Sequence, residues 1–91
     1  MLYAWIGLLK PNIDGIPPSL QRLATDFLAQ PVIRIHSAGP LRDPSGKRAA
    51  MMMIFEQDNR EDAESFVTDS PYLQADLYEH HHLYEYENEA G

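Results

Sequence analysis

The sequence has no cysteine. That absence excludes a disulfide framework and thiolate chemistry, and it suits a reducing compartment, so the cytoplasm is the expected location. Basic residues are also scarce. Seven Lys and Arg stand against 14 Asp and Glu, a net charge of -7 over 91 residues. A surface of that sign is repelled by phosphate backbones, so no nucleic-acid partner is expected. The apolar run at the N-terminus, LYAWIGLL (Leu2–Leu9), falls far short of the ~20 residues that cross a bilayer. No basic region precedes it and no small-residue cleavage site follows, so neither a membrane association nor a signal peptide is expected. Repeats and low-complexity segments are lacking too. The chain reads as one domain over 1–91, with ENEAG at 87–91 as a frayed tail.

What is present is a clear alternation of element types. Leu2–Leu9 is apolar at both odd and even positions, the pattern of a strand buried on both faces. KPNIDGIPP is a loop, and Ser19 is placed to cap a helix running to about Gln30. Leu20, Leu23, Ala24, Phe27 and Leu28 make one apolar stripe along it, and Pro31 stops it. Val32–Gly39 reads as a strand with mixed faces, PLRDPSGK as a turn, and Arg48–Glu56 as a second doubly apolar strand. Asp58 with Glu61 resembles a capping box for a helix that buries Ala63, Phe66 and Val67. Ser70-Pro71 opens a short helix, and Leu77–Tyr86 is a last strand with polar residues on both faces.

The order β-α-β-β-α-β predicts an α+β, ferredoxin-like fold: a four-stranded antiparallel sheet with both helices on one face, the first and third strands central. Two helices leave the other sheet face bare. The large apolar groups there predict a second copy packed sheet to sheet, a homodimer.

Three stretches, in this order and spacing, resemble the YciI-like (YCII-related) family: MLYAWIG at the start, SAGPLRDPSG after the second strand, and DSPYLQADLYEHHHLYEY near the end. The resemblance covers nearly the whole chain. It implies a dimeric α+β barrel and cofactor-free acid/base chemistry, elimination or isomerisation of a small, hydroxylated aromatic molecule. One member of the family is a dehydrochlorinase acting on a chlorinated hydroquinone. Members carry a histidine on the first helix, in an Arg-x-x-His pattern, and an aspartate in the turn after AGP. Here Arg22 and Asp43 match the arginine and the aspartate, while Thr25 stands where the histidine belongs. A threonine hydroxyl is no general base near neutral pH.

The vacancy leaves two classes of function open: an enzyme that has rearranged its base, or a small-molecule-binding or accessory protein. In the first, His36 pairs with Asp43 across the turn; in the second, His36 is an edge-strand residue and Asp43 a turn former. Arg22 either anchors an anionic group or pairs with Asp26 one helical turn on. Thr25 is a hydrogen-bond donor to substrate, and Arg42, beside Asp43, is a further candidate for binding it. Tyr72 pins the short helix or reaches the cleft. His80 and His82 share a strand face, as a weak metal pair lacking a third ligand. Tyr78, Tyr84 and Tyr86 are expected on that same face.

Overall fold

The computed structural model describes residues 1–13 and 16–90; Asp14 and Gly15 of the expected loop and Gly91 of the expected tail lie outside them. The elements are β1 (Leu2–Leu9), α1 (Pro18–Leu28), β2 (Ile35–Arg42), β3 (Arg48–Glu56), α2 (Arg60–Thr68), α3 (Pro71–Gln74) and β4 (Tyr78–Tyr86). The four strands form one antiparallel sheet in the order β2-β3-β1-β4. This is the ferredoxin-like α+β fold, with the doubly apolar strands at the centre. None of the described helices is long and apolar enough to cross a membrane.

The core lies between the sheet and the helices. Tyr3 and Trp5 of β1 and Met51, Met53 and Phe55 of β3 point into it and meet Ala24, Ala63, Val67 and Tyr72. Period-two alternation on the central strands creates this inner face. Each large side chain so buried contributes roughly 1.5–3 kcal/mol. Aromatic contacts knit the layers: Phe66 packs on both Phe27 and Phe55 with ring centroids 4.8 Å apart. Trp5 stacks on Tyr72 at 5.8 Å and meets the Tyr78 ring edge-on at 5.3 Å. Its indole N–H donates to His81 Nδ1 at 3.3 Å. Gly7 makes room for this cluster, since a Cβ there would lie 2.7 Å from the Trp5 ring and 2.8 Å from Tyr78.

Several boundaries differ from the expectations, each for a local reason. Helix α1 opens with Pro18 at its first position behind Pro17, with no side-chain cap, so Ser19 lies inside it. The missing proline N–H costs nothing at that place. Helix α1 ends at Leu28, before the expected Gln30, whose side chain instead accepts from the Val32 and Ile33 amides and donates to the Ile33 carbonyl. On the expected stripe Leu20 and Ala24 are buried, whereas Leu23 is exposed. Helix α2 is capped by Asn59, not Asp58: its Oδ1 accepts from the Asp62 amide at 2.8 Å. Strand β2 starts and ends three residues later than expected. Gly39-Pro40 continues the strand, because β2 is an edge and proline is tolerated where no ladder donor is needed.

Three register shifts reset which face a side chain occupies. On β4 the pairing passes from Leu8–His80 to Leu9–Tyr78, leaving Glu79 as an extra residue. Tyr78 therefore turns to the inner face and is buried, away from Tyr84 and Tyr86. Between β2 and β3 it passes from Leu41–Ala50 to Arg42–Arg48, skipping Ala49, and from Ile35–Phe55 to Ser37–Ile54, skipping His36.

Candidate functional site

The first of these β2–β3 shifts builds the site. Ala50 pairs with Leu8 on the helix-free face, and an unbroken strand would put Arg48 there too. The bulge at Ala49 turns Arg48 to the helix side, where its side chain becomes a wall shared by two cavities. One, of about 210 Å³, lies between α1 and the β2–β3 edge, where Ala24, Leu28, Met51 and Tyr72 give it an apolar wall and Gln21, Thr25 and Arg48 its polar groups. The other, of about 190 Å³, lies beside the β2–β3 turn, where Asp43, Lys10, Lys47 and Arg48 surround Leu9 and Ile13.

Arg48 Nε is buried with no hydrogen-bond partner among the described residues, and its terminal nitrogen meets only the Met51 sulfur at 3.5 Å. The Tyr78 hydroxyl is likewise buried and unpartnered. Burial pushes the phenol of Tyr72 up and that of Tyr78 up to about 12; the Arg48 charge opposes the rise in both.

Thr25 stands at the cavity beside α1, and its hydroxyl donates back to the Gln21 carbonyl at 2.9 Å. Tyr72 lines the same cavity and is only 1% exposed, so it both pins α3 and reaches the cleft. Arg22 is solvent-exposed outside both linings, and it forms no ion pair with Asp26. Arg42 closes the turn by donating to the Gly46 carbonyl at 3.0 Å. Asp43 organises that turn: one carboxylate oxygen accepts from the Ser45 hydroxyl at 2.6 Å, the Ser45 amide at 2.9 Å and the Lys47 amide at 3.0 Å. The Ser45 hydroxyl first, then the two amides and the Lys47 charge, hold its carboxyl below the ordinary 3.8 against the opposing effect of desolvation. A carboxylate so stabilised is a good acceptor and a weak base.

The structure does not bring His36 and Asp43 together. They stand at opposite ends of β2, seven residues apart at ~3.3 Å each. His36 Nε2 lies 2.7 Å from Glu56 Oε1, and that contact lowers the Glu56 carboxyl. No histidine lines either cavity. His80 and His82 pair with Leu8 and Ile6 on the helix-free face, where His82 stacks on Tyr84. Among the described residues no three His, Cys, Asp or Glu side chains converge as a metal site.

Sequence reasoning missed Arg48 and Tyr78. Arg48 reads as the polar first residue of an apolar strand, and Tyr78 as one of an outward row. Only the bulges, which leave no sequence signature here, bring both inward.

These features define a ferredoxin-like α+β protein with a polar-and-aromatic cleft at one end of its helix layer. No family model matches the sequence, and no curated protein is significantly similar. Among solved structures it is similar to 5-chloro-2-hydroxyhydroquinone dehydrochlorinase from Burkholderia phenoliruptrix AC1100, in complex with 2,5-dihydroxybenzoquinone. The two share 19% identity over 96% of this chain and 94% of that one, with a TM-score of 0.71. An uncharacterized NIPSNAP domain protein from Burkholderia xenovorans matches at 12% identity and a TM-score of 0.48, over 99% and 97% of the two chains. At these identities the likeness is one of fold.

Proposed function

We propose that this is a YciI-like protein of the cytoplasm whose cleft between α1 and the β2–β3 edge takes up a small, hydroxylated aromatic molecule. The observation that carries the reading is the cavity of about 210 Å³ with an apolar wall and few polar groups, since ~150 Å³ of apolar cavity already admits a benzene ring. The neighbour of similar fold, a dehydrochlorinase, acts on a ring of this class. Binding is favoured over turnover because the cavity lacks an imidazole and the Thr25 hydroxyl is bonded to the backbone.

The neighbour's activity supports a second reading, cofactor-free elimination. Titrating 2,5-dihydroxybenzoquinone and hydroquinone against the ¹⁵N-labelled protein separates the cases. The binding reading expects shifts at the Gly39, Met51 and Tyr72 amides without turnover. Product formation from a chlorinated hydroquinone would favour elimination, and no shift at those amides would sink both.

The helix-free sheet face supports a homodimer. Leu8 (42% exposed) and Tyr84 (56% exposed) stand on it, beside the outward positions Ile6, Met52 and Ile54. An apolar face of this kind is normally covered. Sedimentation of wild type against Leu8→Glu tests this; a wild-type monomer refutes it.

A further inference from the structure

Among the described residues Arg48 carries a charge with no counter-ion. Ion pairs among the described residues join other groups: Lys10 with Asp76, His36 with Glu56, and Arg60 with Glu64. Asp43 shares a cavity with Arg48, yet its bonds go to the turn, and Lys47 is the cation whose charge acts on it. A guanidinium offers five N–H donors in a planar fork. Here the buried Nε–H has no acceptor, and a terminal nitrogen has only a thioether sulfur, a weak one. Arg48 is only half-buried, yet sealing its Nε–H from water without an acceptor is costly unless an anion meets it. The position is also constructed, because it exists only through the skipped residue at Ala49. The unpartnered Tyr78 hydroxyl lies near enough to feel the Arg48 charge. Beyond the guanidinium the cavity turns apolar, with Met51, Ala24, Leu28 and the Tyr72 ring.

We infer that Arg48 is the anchor for an oxyanion carried on the ring of the cleft ligand, a carboxylate or an ionised phenol. The inference rests on the cleft reading above and deepens it by naming the ligand's charge. The ring lies against Met51 and Tyr72, and its anionic oxygen accepts from the Arg48 fork. Arg22, the arginine singled out by sequence, lies outside this arrangement.

The test uses three probes on the full chain: 4-hydroxybenzoate, its neutral analogue 4-hydroxybenzamide, and hydroquinone as a ring without a fixed charge. Titration calorimetry is expected to show 4-hydroxybenzoate binding at least tenfold tighter than the amide to the wild type. The preference should vanish in Arg48→Gln and survive in part in Arg48→Lys. In the wild type, needing no variant to fold, 4-hydroxybenzoate should move the Arg48 Nε–H resonance and the amide should not. A pH titration of hydroquinone binding separates the two sources, because an ionised-phenol site strengthens as the phenol loses its proton and a carboxylate site does not. If the rings bind with no preference for the anion, or if Arg48→Gln keeps the preference, Arg48 is not the anchor although the cleft reading stands. If no ring binds at all, both fail.

Discussion

The Tyr78 hydroxyl sets up a prediction with an unusual sign. A polar group sealed from water without a partner costs about 1–3 kcal/mol of stability, and this hydroxyl is such a group among the described residues. Tyr78→Phe removes the oxygen and leaves the ring, which meets Trp5 edge-on at 5.3 Å. The variant is therefore expected to be more stable than wild type at neutral pH by about 1 kcal/mol, a rise in Tm of roughly 4–8 °C for a domain of this size. The same substitution has a second signature. The phenol is pushed from its ordinary 10.0 up to about 12 by burial. Its folded value being the higher, its contribution is fully present below pH 10.0 and is lost as pH rises toward 12, because the unfolded chain gives up the proton first. The loss is on the order of 3 kcal/mol, two pH units at about 1.36 kcal/mol each. Differential scanning calorimetry at neutral pH and urea titrations across the alkaline range read both effects. Tyr72 is also raised, so the alkaline loss should shrink in Tyr78→Phe and not disappear. A variant that is less stable by 1 kcal/mol or so, with the alkaline loss intact, would show that the hydroxyl has a partner and would refute the reasoning.

Gly7→Ala should destabilise by roughly 1–3 kcal/mol, because its Cβ would lie 2.7 Å from the Trp5 ring; the urea midpoint measures it. His36→Ala should leave ligand binding unchanged in calorimetry, since His36 contacts Glu56 and lines neither cavity. Asp43→Ala removes the acceptor of the Lys47 amide, so that amide should exchange faster with deuterium while amides in β1 keep their protection. Asp43→Asn, which retains an acceptor oxygen, should restore part of the slow exchange.

The fold was legible because its signals are local and redundant. Leu2–Leu9 and Arg48–Glu56 are apolar at every parity, so they must be central, and Pro31 and Pro71 punctuate the helical stretches. The misplaced end of β2 came from reading Gly39-Pro40 as a turn; edge position, a property of the whole sheet, overrides that local signal. The cleft was half legible. Thr25 borders it, and Asp43 lines the adjoining cavity that shares the Arg48 wall. The cleft's half-buried cation and the buried phenol were hidden, because a register slip of one residue exchanges the two faces of a strand and depends on pairing across the sheet. The same physics undid the His36–Asp43 idea. Seven residues that look close along a turn are the length of a strand once that turn begins at Asp43.

Trp5 is the chain's one tryptophan, and its place gives the protein an internal optical reporter. The indole is 0% exposed, stacked on the Tyr72 ring that lines the cleft, and hydrogen-bonded to His81 on the adjoining strand β4. All its intrinsic indole fluorescence therefore arises at a single dry position, one ring away from the proposed ligand. A molecule entering against Tyr72 changes the surroundings of that emitter. Occupancy can thus be followed by emission from the unmodified protein.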